Sequence, residues 1–226
     1  MSRLIAFGCS NTYGQGLPDC LRITSEPSKL AWPSLLASKL NIPAVNLGRP
    51  GIGNLEMLDR VLRYEFMPDD ICVILWSNFV RFDFLKVAKD YEVTNNWHYK
   101  LKTEVLEKEH LNAYQNYLAM HHCSLYLDSI NIKSVAAIAF IPDRNDFPKP
   151  EFLDIKNLID LPDYFVDKAP DRSHPGVKSQ EILADSFLSS LSIEKRTKKW
   201  QENLGNSESK IRTFTAELDG NIVGFG

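Results

Sequence analysis

The sequence predicts an α/β protein in which one parallel β-sheet is covered by helices on both faces. Three observations lead there. Apolar, β-prone runs alternate with stretches whose apolar residues recur at helical spacing. The runs at residues 70–76 and 134–141 are apolar almost throughout, as strands buried on both faces must be. The residues with chemical potential fall just after the runs, at the sheet edge where open α/β folds bind ligands.

Taken in order, Leu4-Ile5-Ala6-Phe7 is the first strand, and Gly8-Cys9-Ser10 follows it at a sharp turn. Residues 28–40 form a helix, with Leu30, Leu35, Leu36 and Leu40 on one face and Pro33 near the start, where proline is tolerated. Ala44-Val45-Asn46-Leu47 is a short second strand, and residues 53–66 form a second helix. The third strand spans 70–76, and the polar, aromatic stretch at 78–103 has no clear pattern. A long helix is expected over 104–130, where Leu111, Tyr114, Leu118, Leu125 and Tyr126 recur at helical spacing. The fourth strand spans 134–141, and an irregular segment rich in proline and aspartate fills 142–170. The last helix runs from Pro175 to about Leu191. Together these elements predict a flavodoxin-like three-layer α/β/α sandwich with strand order near 2-1-3-4.

The tail differs in character. The charge run Glu194-Lys195-Arg196-Thr197-Lys198-Lys199 closes the globular part, giving a domain at 1–195 and a linker with tail at 196–226. Two β-prone runs then flank Asp219-Gly220, a hairpin signal. A lone hairpin is marginal in water. This C-terminal β-hairpin extension is therefore expected to dock through residues 210–226, onto its own domain, another copy or an assembly partner.

The bulk numbers narrow the function classes. A chain of 226 residues with 44% hydrophobic and 24% charged residues holds enough apolar surface for a full core. A formal net charge of −3 gives no general attraction to nucleic acid or to an anionic membrane. The four cysteines, Cys9, Cys20, Cys72 and Cys123, show no C-x-x-C spacing, which suits a reducing compartment and not a zinc site. Four apolar residues before Gly8 are too few for a signal-peptide core, so synthesis in the cytoplasm is expected.

Chemistry centres on two ends of the chain. Ser10 is delivered between Gly8 and Gly14 at a strand end, where its hydroxyl projects into a cleft. A serine hydroxyl needs an adjacent base, itself oriented by a third group. His174 is the candidate base, and Asp171, three residues earlier, faces the same way on a helical turn. A simpler role for Asp171 is to cap the helix that starts near Pro175. Oxyanion donors are also required. The glycine-bearing loop Gly48-Arg49-Pro50-Gly51 after the second strand and Asn78 after the third offer them.

Those blocks resemble the SGNH hydrolase superfamily, the group that holds the GDSL esterases and lipases, of phage or bacterial type. The resemblance spans about residues 3–191. Gly8-Cys9-Ser10 stands for the first block, Gly51 for the second, Trp76-Ser77-Asn78-Phe79 for the third and Asp171 with His174 for the fifth. Trp32-Pro33 before Leu35-Leu36 is similar to the first helix of many members. Cys9, Trp76 and Phe79 depart from the usual Asp, Gly and Asp. The resemblance implies Ser10 as nucleophile, His174 as base, Asp171 as its orienting partner, and Ser10, Gly51 and Asn78 as the oxyanion hole. It implies hydrolysis of small acyl esters, acetyl foremost, including those carried by carbohydrate, with no metal or organic cofactor.

Candidate substrate-binding residues are Asn11, Asn54, Arg81 and Arg144, with Arg49 and Arg172 also at the expected rim. Tyr91, Trp97 and Tyr99 either stack on a sugar or fold over one another. His98, His110, His121 and His122 show no metal-ligand spacing and read as structural or exposed. Two other functions compete with the esterase: a lysophospholipase or thioesterase, and a non-catalytic binding or structural protein, such as a virion component, that assembles through its hairpin.

Overall fold

A computed structural model describes residues 2–23, 25–79, 83–86, 92–95, 105–139, 150, 153–205, 215–218 and 221–224; side-chain surroundings are described for 2–23, 25–79, 113–139, 150 and 153–192. By internal contacts the chain forms two units, Met1–Ser190 and Leu191–Gly226.

The first unit carries a five-stranded parallel sheet. In chain order the elements are β1 (Leu4–Gly8), α1 (Ser10–Tyr13), α2 (Trp32–Leu40), β2 (Ala44–Asn46), α3 (Asn54–Leu62) and β3 (Ile71–Trp76). There follow β4 (Asp83–Lys86), β5 (Glu92–Asn95), α4 (Val105–Ser129), β6 (Lys133–Ile138), β7 (Leu158–Ile159) and α5 (Val177–Gly205). The sheet order is β2-β1-β3-β6-β7. The first four of these stand in the order the sequence predicts. The two-residue β7 adds a fifth strand, paired to Ala136 and Ala137 inside the segment read as irregular.

Every residue of β1 is buried, and β3 and β6 are buried after their first residues. On one face Ile5, Phe7, Ile74 and Trp76 pack with Met57 and Val61 of α3 and with Tyr117, Met120, Cys123 and Leu127 of α4. Strand side chains alternate, so Leu4, Ala6, Val73 and Leu75 turn to the other face, all of them buried. There Trp32 of α2 and Phe187 of α5, both fully buried, meet with ring centroids 4.8 Å apart. The architecture is the expected three-layer α/β/α sandwich.

The element ends differ from the sequence reading for local reasons. Residues 28–31 lie outside α2 because Ser28 is drawn back to the β1 side, its N–H donating to Tyr13 O at 2.9 Å and its Oγ to Asp19 Oδ1 at 2.5 Å. α3 stops at Leu62, short of residue 66, because Tyr64 and Phe66 turn onto Phe7, with ring centroids at 5.8 and 6.2 Å. β4 and β5 pair antiparallel, with Asp83 opposite Asn95, inside the stretch that had no clear pattern. α5 continues through the charge run to Gly205, beyond the end expected near Leu191. Glu, Lys and Arg are good helix formers, so such a run extends a helix readily. No helix among the described residues is long and apolar enough to cross a membrane.

In the second unit, β8 (Thr215–Leu218) and β9 (Asn221–Gly224) pair antiparallel, with Leu218 opposite Asn221. This pairing agrees with the expected hairpin.

Candidate active site

The carboxyl ends of β1 and β3 open onto a cleft of about 550 Å³, with Ser10, Gly51, Asn78 and His174 on its walls. Four residues from separate parts of the sequence therefore share one concavity. Asp171 stands behind His174.

Ser10 opens α1, a single helical turn that begins immediately beyond β1. As the first helical residue it has a backbone N–H with no partner inside the helix. Its side chain is almost fully buried, and Oγ lies 4.0 Å from Cys9 Sγ. Three elements fix this turn. Asn46 at the end of β2 donates from Nδ2 to Thr12 O at 2.7 Å. Gln180 of α5 donates from Nε2 to Asn11 O at 3.2 Å, while its Oε1 accepts from Trp32 N–H at 2.9 Å. The Trp32 indole N–H donates to Thr12 Oγ1 at 3.3 Å.

Gly51 has φ +87°, a left-handed conformation open to glycine at little cost. Asn78 leaves β3 between two held neighbours. Ser77 N–H donates to Asn54 Oδ1 at 2.7 Å, and Asn54 Nδ2 donates to Ser77 O at 3.1 Å.

The imidazole and its carboxylate sit on a turn closed by a bridge between Lys168 and Pro175. Ala169 N–H donates to His174 O at 2.8 Å, and Gly176 N–H to Asp167 O at 3.0 Å. Inside this turn Asp171 Oδ2 meets His174 Nδ1 at 2.5 Å, while Oδ1 accepts from the N–H groups of Ser173 and His174 at 2.9 and 3.1 Å. Burial pushes the Asp171 carboxyl up, but the Ser173 N–H and the His174 ring and N–H outweigh it and hold it below the ordinary aspartate range. A carboxylate on Nδ1 leaves Nε2 as the basic nitrogen of a neutral imidazole.

The helix-capping role considered for Asp171 belongs to another residue. Asp167 Oδ1 accepts from Ser179 N–H at 2.8 Å and Ser179 Oγ at 2.6 Å, and Oδ2 accepts from Lys178 N–H at 3.2 Å. With Asp167 at the start of α5, Asp171 is left to the imidazole.

Of the candidate substrate-binding residues, Asn11 lines the cleft, with its side chain engaged by the Tyr164 hydroxyl. Tyr164 also donates to Ala139 O at 2.7 Å, and burial pushes its phenol well up. Asn54 requires a correction: it is 0% exposed, and its amide is held by Ser77 and Asn116, so it offers substrate nothing. Arg81, Arg144, Tyr91, Trp97 and Tyr99 lie outside the described residues. His121 Nδ1 meets Asp154 O at 2.6 Å, a structural contact as expected.

Gly16 is a site residue that the sequence reading missed. Its φ is +86°, and a Cβ there would come within 2.3 Å of Asp171 Oδ2. The Gly14-x-Gly16 spacing after α1 was the available signal, but nothing in the sequence tied it to a carboxylate 155 positions later.

No protein-family model matches the chain, and no curated protein matches it in sequence. Solved structures do. An acetyl xylan esterase from the rumen bacterium Butyrivibrio proteoclasticus superimposes with a TM-score of 0.53 at 15% identity, over 85% of this chain and 63% of that one. A carbohydrate esterase family 2 enzyme with a carbohydrate-binding domain from Corynascus thermopiles (Myceliophthora fergusii) gives 0.51 at 14% identity, over 84% and 66%. A carbohydrate esterase described as having divergent catalytic and non-catalytic binding functions gives 0.50 at 13%, over 84% and 68%. The chain thus spans about two thirds of the length of these proteins. At such identities the likeness establishes a shared fold.

Proposed function

We propose that this protein is a serine ester hydrolase that removes short acyl groups, acetyl foremost, from a hydroxyl-rich alcohol such as a carbohydrate. The single observation that most supports this reading is the shared cleft: Ser10, Gly51, Asn78 and His174 line it, and Asp171 bonds His174 Nδ1 at 2.5 Å.

In this mechanism Ser10 Oγ attacks the ester carbonyl as His174 Nε2 takes its proton. The negative charge that develops on the carbonyl oxygen is met by the N–H groups of Ser10 and Gly51 and by the Asn78 amide. Asp171 holds the ring and stabilises the imidazolium. His174 then protonates the departing alkoxide, which leaves an acyl group on Ser10. A water attacks that acyl group, giving its proton to His174, and collapse returns the proton to Ser10 as the carboxylic acid departs.

The walls of the cleft support this substrate class. Gln15 and Ser173 offer uncharged hydrogen-bonding groups to sugar hydroxyls, while Ile23, Pro50 and Ala139 offer apolar contact to a small acyl methyl. The fold shared with carbohydrate esterases agrees with this reading by analogy.

The test is a panel of 4-nitrophenyl acetate, an acetylated xylo-oligosaccharide and 4-nitrophenyl octanoate. The acetyl esters should be hydrolysed and the octanoate should lag. Preference for the octanoate would favour a lipase or thioesterase. No hydrolysis of any of them would sink the enzyme reading and leave a binding protein, for which the β8–β9 pairing offers a docking element. In that case truncation after Ser192 should change the solution mass of the assembly.

A further inference from the structure

We infer that Asn54 and Asn116 form a positioning device for Asn78, through which α3 and α4 set the geometry of the oxyanion site. The inference rests on the esterase reading above and extends it to two residues that touch no substrate.

The argument begins where β3 loses its sheet partners. Its ladder with β6 ends at the pairing of Trp76 with Ile138, and Trp76 O takes a last bond from Ala139 N–H at 2.9 Å. Ser77 is the next residue, 1% exposed. A buried main-chain N–H and C=O must find partners. Asn54, the first residue of α3 and 0% exposed, meets both of them with one side chain, at 2.7 and 3.1 Å. The amide thus acts on Ser77 as a neighbouring strand would.

The second proton on Asn54 Nδ2 goes to Asn116 Oδ1 at 2.6 Å, and Asn116 of α4 is itself 3% exposed. Asn116 Nδ2 in turn donates to Phe79 O at 3.4 Å. The residues on both sides of Asn78 are therefore tied to helices, and Asn78 itself faces the cleft. Carboxamide chemistry is required at position 54. An aspartate there would aim a carboxylate oxygen at Ser77 O with no proton between them, and Asn116 could donate to it only by turning its Nδ2 away from Phe79 O.

An oxyanion donor works only within a narrow distance of the developing charge. A shift of an ångström at a reacting centre lowers rate by about 10²-fold. Loosening the device should thus lower kcat and leave KM nearly unchanged.

The experiment is a double-mutant cycle on 4-nitrophenyl acetate, with unfolding midpoints measured for each protein. Asn54→Asp and Asn116→Leu are made alone and together with Asn78→Ala. Asn116→Leu keeps the branching at Cγ and the number of heavy atoms, and carries the test if Asn54→Asp does not fold. Each single variant is expected to lose about 10- to 100-fold in kcat, and to lose little more when Asn78 is already alanine. A folded variant that retains wild-type kcat, or that loses the same factor with and without Asn78, would overturn the positioning role while the esterase reading stands. Wild-type protein that hydrolyses no ester would overturn both.

Discussion

The residues on the strand-end side of the cleft are held from far along the chain, whereas those on the facing turn are held from close by. Ser77 is fixed by Asn54, 23 positions away, Thr12 by Asn46, 34 away, and Asn11 by Gln180, 169 away. His174 and Ser173 are fixed by Asp171, three and two positions away. Burial follows the same division: Ser10 and Asn54 are buried, while the His174 and Asp171 side chains keep 18% and 24% of their exposure. The difference teaches where chemistry can be separated from folding. Changes to Asn46, Asn54 or Gln180, which hold the strand-end side, disturb interactions that the fold also needs. Changes on the turn break only contacts between near neighbours in the chain, so their effect falls mainly on catalysis.

That contrast is open to direct attack. The largest effect is expected from Ser10→Ala. It removes one hydroxyl, whose oxygen lies a distant 4.0 Å from Cys9 Sγ, and should lower kcat by about 10⁴- to 10⁶-fold with little change in melting temperature. Full turnover in that variant would remove Ser10 from the mechanism. Asp171→Asn should follow, at about 10⁴-fold in kcat, with only a small fall in melting temperature, because its partners are local. A large loss of stability there would erase the distinction between the two sides. Asn78→Ala should cost about 10²- to 10³-fold in kcat.

Gly16→Ala sharpens the comparison, because Gly16 lies on the strand-end side and touches the turn. At φ +86° an added methyl strains the backbone and strikes the Asp171 carboxylate. It should lose about 1–3 kcal/mol of stability, and kcat should fall by about 10²-fold through the displaced imidazole. Chemical denaturation and steady-state kinetics on the same preparation would separate the two losses.

The smallest effect is in acid. Burial pushes Asp167 up, but its bonds from Ser179 and Lys178 hold its carboxyl below the ordinary value, and Asp171 behaves alike. The unfolded chain therefore binds those protons first as the pH falls. The stability these two groups contribute is complete above the unfolded value of about 3.9 and is lost as pH drops through their lower folded values. Asp167→Asn should flatten that part of the curve of denaturation midpoint against pH; an unaltered slope would show that the cap is not what lowers it.

The legible parts of the sequence were those where one local pattern decides the outcome. The apolar runs marked β1, β3 and β6, and the spacing of Leu111, Tyr114 and Leu118 marked α4. Asp171 and His174 were legible as a pair because they stand three positions apart. What stayed hidden depended on distant partners. β7 is two residues long and exists because Ala136 and Ala137 offer it an edge. Tyr64 and Phe66 fit the helical pattern, yet Phe7 takes them for the core. Asp171 stands near the start of the last helix on paper, whereas Asp167, ten positions before Val177, reaches Lys178 and Ser179 only through the fold of the 167–176 turn. Asn54 read as a polar group near a glycine loop, so it was assigned to substrate. Its main-chain partner at Ser77 is set by the packing of α3 against β3.

The central claim is that Ser10 and the imidazole of His174 act on one another across the shared cleft. The most direct measurement is covalent labelling with a fluorophosphonate, with the modified peptide located by mass spectrometry. The account predicts stoichiometric modification of Ser10 in the wild-type protein and loss of that reactivity in His174→Ala. An unlabelled wild type, a label on another residue, or a Ser10 that reacts as fast without His174 would contradict it.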